Sequence, residues 1–260
     1  MDLQLKGKVI VVTGGSKGIG RSITQVLVEE GAIPVIVTRS EASAQDLVKE
    51  IKAKGGQAQY VKAELTRPEE CENACKQIIK EFGKIDGLVN NAGVNDGIGL
   101  ENGSYEGFIE SLKRNVAHYY LMAHLLLPEL KKSKGAIVNI GSKTSVTGQG
   151  GTSGYAAANG GRNSLTREWA VELLPYGIRV NAIIVAECYT PLYEKWINTF
   201  PNPKEKLQNI VQKIPFELRM THPEEIANTA AFLLSGKSGH TTGQLLYVDG
   251  GYVHLDRAIT

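Results

Sequence analysis

Short apolar runs alternate with stretches of helical spacing along almost the whole chain. Lys8-Val9-Ile10-Val11-Val12-Thr13 is continuous apolar sequence that stops at a glycine-rich turn. A run without alternation suits a strand covered on both faces. Residues 19–30 then place Ile19, Ile23, Val26 and Leu27 on one helical face and stop at Gly31, a helix terminator. The same reading predicts strands over 33–38, 57–62, 88–90, 136–141, 179–184 and 245–248. It predicts helices over 42–54, 68–82, 104–130 and 153–174, the second of these with Pro68 in its first turn.

Strands alternating with helices imply a parallel sheet with helices on both faces. Right-handed crossovers make it a single doubly wound, Rossmann-type α/β domain over 1–260, with a seven-stranded sheet whose order starts 3-2-1-4. Ligands in such a fold bind past the carboxyl ends of the strands, where the order reverses. Residues 185–240 break the rhythm with Pro191, Pro201, Pro203, Pro215 and Pro223. They read as a helical excursion over a substrate pocket.

Composition narrows the class. The chain has 260 residues, with 29 Lys plus Arg against 27 Asp plus Glu. That balance gives no electrostatic case for nucleic acid. Three cysteines are too few for a disulfide scaffold and suit a reducing compartment. No window approaches 18 uninterrupted apolar residues, and the N-terminus lacks a signal-peptide core. The expectation is a cytoplasmic protein with no membrane partner.

The 29 glycines matter by position. Thr13-Gly14-Gly15-Ser16-Lys17-Gly18-Ile19-Gly20 joins the first strand to the first helix. Glycine permits positive φ and close backbone approach, and the helix N-terminus offers free N–H groups to a diphosphate. The spacing G-x-x-x-G-x-G differs from the general dinucleotide fingerprint. NAD-selective sites usually carry an acid at the end of the second strand. This chain has Thr38-Arg39-Ser40 there, with Lys17 in the turn. Two cations and a hydroxyl favour a 2′-phosphate, hence NADP, with NAD as the alternative.

Further motifs follow: Asn90-Asn91-Ala92-Gly93, Asn115, Ser142, Tyr155 thirteen residues later, and Asp249-Gly250-Gly251. With the glycine turn they resemble the short-chain dehydrogenase/reductase family over essentially the whole length. The resemblance implies a nicotinamide-dependent oxidoreductase. Gly14, Ser16, Lys17, Gly18, Ile19, Gly20, Arg39, Glu64, Leu65, Asn91, Ala92, Gly93, Tyr155, position 159 and Thr190 would hold the cofactor. Ser142 would bind the substrate oxygen, Tyr155 as phenolate would take the hydroxyl proton, and Asn115 would anchor a water chain. A free tyrosine, with pKa about 10, is a poor base at neutral pH. The family places a lysine four residues later, one helical turn away, to favour the phenolate.

Here that position is Asn159. An amide can bond ribose hydroxyls but supplies no charge. The expected result is an intact fold and cofactor site, with turnover at neutral pH lowered by about 10²–10³-fold. Asn159 can be a substitution in an active enzyme, a loss of function, or a site where another cation takes over. Lys143 follows Ser142, and Arg162 lies two turns beyond Tyr155 on the same helical face.

The substrate is read from polar segments. Val94-Asn95-Asp96-Gly97 follows the Asn-Asn-Ala-Gly motif, and Val185-Ala186-Glu187-Cys188-Tyr189-Thr190-Pro191 follows the sixth strand. With Lys143-Thr144, Thr147-Gly148-Gln149 and the tail His254-Leu255-Asp256-Arg257, they resemble the bacterial L-fucose dehydrogenase branch of the family. That resemblance implies a sugar oxidised at C1 to its lactone, with Asn95, Asp96, Gln149 and Glu187 joining Ser142 and Tyr155 as substrate-binding residues. A reductase of acyl or aromatic carbonyls, or an inactive NADP(H)-binding sensor or scaffold, are the competing readings.

Other signals read as structural. Cys71 and Cys75 are apolar fillers and no metal site is expected. His118 and His124 are packing or interface residues. Tyr119, Tyr120, Leu121 and Met122 suit a subunit interface. Relatives form four-helix contacts there and on the Tyr155 helix, which implies a homotetramer whose C-terminal tails approach neighbouring pockets.

Overall fold

The computed structural model describes residues 1–255. Its seven strands are β1 (Val9–Thr13), β2 (Ile33–Thr38), β3 (Gln59–Lys62), β4 (Gly87–Asn90), β5 (Ala136–Ser142), β6 (Arg179–Val185) and β7 (Leu245–Val248). They form one sheet in the order β3-β2-β1-β4-β5-β6-β7, with every pairing parallel. The order reverses at β1, between β2 and β4, so the crevice past the ends of β1 and β4 is where a ligand fits.

The continuous apolar runs have the burial they imply. In β1, Val9 and Val11 face one core layer while Ile10 and Val12 face the other. The first layer lies under α3 (Pro68–Phe82), α5 (His118–Ser133) and α6 (Ser153–Glu172), through Cys71, Ile78, Met122, Leu126 and Trp169. The second lies under α1 (Gly18–Glu29) and α9 (Pro223–Leu234), through Ile23, Leu27, Ile226 and Ala230. A smaller cluster seats α2 (Glu41–Ala53) on Ile36. Cys71 and Cys75 are buried in the first layer, where burial pushes their thiols up to about 11 and about 12. Both behave as the fillers expected of them.

Two stretches differ from the sequence reading. The long helix over 104–130 is α4 (Tyr105–Leu112), a π-turn at Lys113–Ala117, and α5, which continues to Ser133 through Pro128. Leu126 and Leu130 are fully buried on either side of that proline, so packing holds the turn that proline weakens. The excursion of 185–240 is also narrower. Only α7 (Pro191–Ile197), α8 (Pro203–Val211) and their loops leave the sheet. Pro223 opens α9, a core helix with six buried residues, because proline at a first helical position starts a helix rather than breaking one.

Candidate active site

The glycine turn is compressed from two sides. Gly14 has φ +66°, and a Cβ there would lie 3.1 Å from Asn91 Nδ2 and 3.2 Å from Ala92. A Cβ on Gly20 would lie 2.3 Å from the Gly14 carbonyl oxygen. Gly18 has φ +52°, with Thr190 3.3 Å from where its Cβ would be. Thr13 pins the opposite wall: its Oγ1 accepts from the Asn91 and Ala92 amides at 2.9 and 3.1 Å. The backbone therefore comes close to any diphosphate at the start of α1, where Lys17 is the N-cap and exposed. Ile19 instead packs inward on the core. This cradle fits a dinucleotide.

At the end of β2 sits a hydroxyl cluster that the sequence reading only half found. Ser43 Oγ donates to Ser16 Oγ at 3.0 Å and lies 2.8 Å from Ser40 Oγ. Thr38 Oγ1 accepts from the Ser40 amide at 3.2 Å. Arg39 is 79% exposed in its side chain and leans on Glu64 at 3.3 Å. Burial opposes the charge of Glu64, but the Thr66 amide and Arg39 outweigh it and hold its pKa below the ordinary value. Leu65 packs against the core. Ser43 is three residues into a helix N-terminus, a position legible only once α2 is placed beside the glycine turn.

The catalytic candidates converge on the end of β5. Ser142 is the last residue of β5, 9% exposed, and its Oγ accepts from the Thr144 amide at 3.3 Å and from Thr144 Oγ1 at 3.1 Å. Tyr155 and Asn159 lie in the first two turns of α6. Asn115 stands in the π-turn, fully buried. Its Oδ1 accepts from the Val94 amide at 2.8 Å and its Nδ2 donates to the Ser111 carbonyl at 3.0 Å. Asn159 is also fully buried; its Nδ2 donates to the Tyr155 carbonyl at 2.9 Å. Its Oδ1 accepts from Arg162 Nη1 at 3.0 Å.

Arg162 sits among these groups, further inside the site than its helical spacing from Tyr155 alone implies. It is 3% exposed. Its Nε donates to the Asn115 carbonyl at 2.7 Å and its Nη1 to the Ile140 carbonyl at 3.0 Å. Its Cζ lies 4.3 Å over the Tyr119 ring and 6.0 Å from the Tyr155 ring. A Cβ on Gly93 would meet Arg162 Nη2 at 2.7 Å and Asn115 Oδ1 at 2.9 Å. Gly93 thus clears room for this guanidinium, not simply for a cofactor.

The substrate candidates divide. Glu187 forms a short contact with Lys143, both 11% exposed in their side chains, and accepts from the Tyr193 hydroxyl at 2.9 Å. Burial first, and then Glu187, push the Tyr193 hydroxyl's titration upward. Lys143 also lies 4.1 Å over the Tyr252 ring. Lys143 therefore turns toward Glu187, while the C-terminal segment folds back on its own chain through Tyr252. Asp256 and Arg257 of the tail lie outside the described residues. Asp96 is tied to Ser111 Oγ at 2.9 Å, with its other oxygen buried and unbonded. Asn95 caps its own turn by accepting from the Gly97 amide at 3.3 Å. Gln149 is exposed on its loop. Asp249, in the Asp-Gly-Gly motif, accepts from the Gly251 and Val253 amides at 2.9 and 3.0 Å, so it shapes the last turn.

Comparison with known proteins agrees with this geometry. Residues 14–253 match the family model described as Enoyl-(Acyl carrier protein) reductase. The chain is 34% identical to the L-fucose dehydrogenase of Bos taurus over 96% of this chain and 91% of that one. The solved structure of Cj0485 dehydrogenase is 48% identical, with a TM-score of 0.93 over 99% of this chain and 98% of that one. The ligand-free aldohexose dehydrogenase of Thermoplasma acidophilum is 28% identical, with a TM-score of 0.89 over the same shares. A glycine turn locked to the ends of β1 and β4, a serine closing β5, a tyrosine opening α6 and these full-length likenesses have one explanation: the chain belongs to the short-chain dehydrogenase/reductase family of nicotinamide-dependent oxidoreductases.

Proposed function

We propose that the chain is an NADP-dependent dehydrogenase of a sugar hydroxyl, acting on L-fucose or a related aldose at C1 and yielding the lactone. The observation that carries this is the Glu187 carboxylate, held by Tyr193 and by Lys143, the residue that follows Ser142. A sheltered carboxylate accepts hydrogen bonds from vicinal hydroxyls and penalises ligands that lack them. The likeness to enzymes named for L-fucose and aldohexose supports the same class.

Bound in the glycine cradle, an oxidised nicotinamide supplies the acceptor for the hydride that leaves C1. Ser142 holds the substrate oxygen by hydrogen bonding. The O–H bond breaks as its proton passes to the Tyr155 phenolate, and the C1–O bond becomes a carbonyl. Glu187, with Gln149 and the Asn95–Asp96 loop at the pocket edge, orients the ring hydroxyls. Glu64, Leu65 and Thr190 would line the cofactor groove, and the Ser16, Thr38, Ser40 and Ser43 hydroxyls with Arg39 and Lys17 would receive the 2′-phosphate. Asn159 brings lowered turnover with it as long as no other group supplies the missing charge. The protein works as a cytoplasmic homotetramer.

The test is a screen of aldoses with NADP and NAD, followed by nicotinamide absorbance. L-fucose or a close aldose is the expected substrate, with NADPH bound at least tenfold more tightly than NADH. Activity confined to acyl thioesters or aromatic ketones would support a carbonyl-reductase reading instead. Asn159 favours one other reading, a non-catalytic NADP(H) sensor or scaffold. Absence of hydride transfer in a single turnover, with tight NADPH binding, would support it.

A further inference from the structure

We propose that Arg162 carries the positive charge that the family places four residues after the tyrosine, moved one helical turn along α6 and acting through Tyr155 and Asn159. This rests on the reading of Tyr155 as the proton acceptor. Arg162 is a positioning residue: it touches neither substrate nor the reacting carbon.

The guanidinium is buried, and every acceptor recorded for it among the described residues is neutral: two backbone carbonyls and the amide oxygens of Asn159 and Asn115. A buried cation without an anion is costly. An anion forming nearby therefore relieves it, and the cation in turn stabilises that anion. Two tyrosine rings flank the guanidinium. Tyr119 is fully buried, donates its hydroxyl proton to the Ile140 carbonyl at 3.0 Å, and is held protonated by that burial. Tyr155, half-buried at the head of α6, is the phenol left to ionise. No other ionisable group is recorded as bonded to the guanidinium among the described residues. His118 on α5 is kept neutral by burial and by Arg162 itself. Lys143, after β5, is paired with Glu187, after β6. Asp96, after β4, is bonded to Ser111.

Asn159 fits this arrangement better than lysine would. Its Oδ1 accepts from the guanidinium at 3.0 Å. An ammonium at that position offers no acceptor and adds a second buried cation beside the first. Asn159, Arg162 and Gly93 thus form one interlocking set: the amide takes one end of the guanidinium, and the missing Cβ admits the other.

The experiment compares the parent with Arg162→Met, Arg162→Lys, Asn159→Lys and the double variant Asn159→Lys/Arg162→Met. The first readout needs no substrate. Tyrosinate absorbance is titrated in each background against its Tyr155→Phe partner, which isolates the ionisation of Tyr155. Arg162→Met should raise that midpoint by about one to two pH units, and Arg162→Lys should keep it near the parent's. The second readout is the pH profile of kcat/KM. Arg162→Met should lower it about 10²-fold at neutral pH, mostly in kcat. Asn159→Lys should lower kcat/KM while Arg162 is present and raise it at least tenfold once Arg162 is Met. That reversal of sign is the signature of one charge served by two positions. A Tyr155 midpoint unchanged in Arg162→Met overturns the proposal. So does a tenfold or greater gain from Asn159→Lys in the parent, which decides the matter even if Arg162→Met fails to fold. If no aldose is oxidised, the substrate reading fails, while the titration still tests the cation.

Discussion

Burial decides what His118 can do. It is 2% exposed, its Nε2 meets the Arg114 carbonyl at 3.0 Å, and its Nδ1 has no partner. Burial, aided by Arg162, lowers its pKa from 6.5 to about 4. The unfolded chain takes up this proton near pH 6.5, and the folded chain refuses it until about pH 4. Between those values the unfolded state binds more protons, so stability falls as pH falls, with no contribution above the window. Urea midpoints should show a loss of about 2 kcal/mol by pH 5, and His118→Gln should remove that loss. Gly93 gives a second prediction at this scale. Gly93→Ala drives a methyl into Arg162 Nη2 and Asn115 Oδ1, so the guanidinium must shift. The expected result is about a 10–10²-fold fall in kcat, larger than any loss of NADPH affinity. The sequence showed that Arg162 shares a helical face with Tyr155, but not that this face turns inward. Arginine is usually exposed, and only the neutral cage of Asn115, Ile140 and Asn159 oxygens makes its burial tolerable.

At the scale of elements, a chain of buried side chains registers α6 on the sheet. Asn90 Nδ2 on β4 donates to Asn139 Oδ1 on β5 at 3.1 Å, and Asn139 Nδ2 donates to Thr166 Oγ1 on α6 at 3.0 Å. Thr166 returns to the Arg162 carbonyl at 2.8 Å. Asn139→Leu breaks the chain at its middle, leaving Asn90 Nδ2 only the Tyr119 carbonyl and Thr166 Oγ1 only the Arg162 carbonyl. It should cost about 2–3 kcal/mol in denaturant titrations and lower kcat by loosening α6. Gly20→Ala should instead abolish measurable NADPH binding, because a Cβ 2.3 Å from the Gly14 carbonyl has no room. Strands and most helix starts were legible because apolar runs and terminal Gly or Pro act locally. The π-turn at Lys113–Ala117 was not, since it answers to Asn115 being held by Val94 and Arg162 from two distant places in the chain as well as by Ser111 one turn before it. Pro223 misled for the same reason: whether proline breaks or begins a helix depends on what the next turns bury.

For the whole molecule, α5 and α6 are the helices expected to carry assembly, and both hold exposed apolar side chains. Tyr120 is 55% exposed and stacked on His124, and Val171 is 66% exposed. If these faces form the expected tetramer, Tyr120→Glu or Val171→Asp should lower the mass seen by sedimentation without changing the single-turnover rate. The buried Arg162 has a consequence for how the molecule as a whole handles protons. A guanidinium holds all its hydrogens under any condition a folded protein survives. Arg162 therefore offers potential but relays no proton itself. The Asn115 carbonyl, expected to anchor a water chain, accepts from Arg162 at 2.7 Å, so a proton taken from substrate is expected to leave by the open groove on the side of Ser142. In mixtures of light and heavy water, the rate should fall in a straight line with deuterium fraction, as for a single proton in flight. A bowed line would reveal several protons moving together through the core.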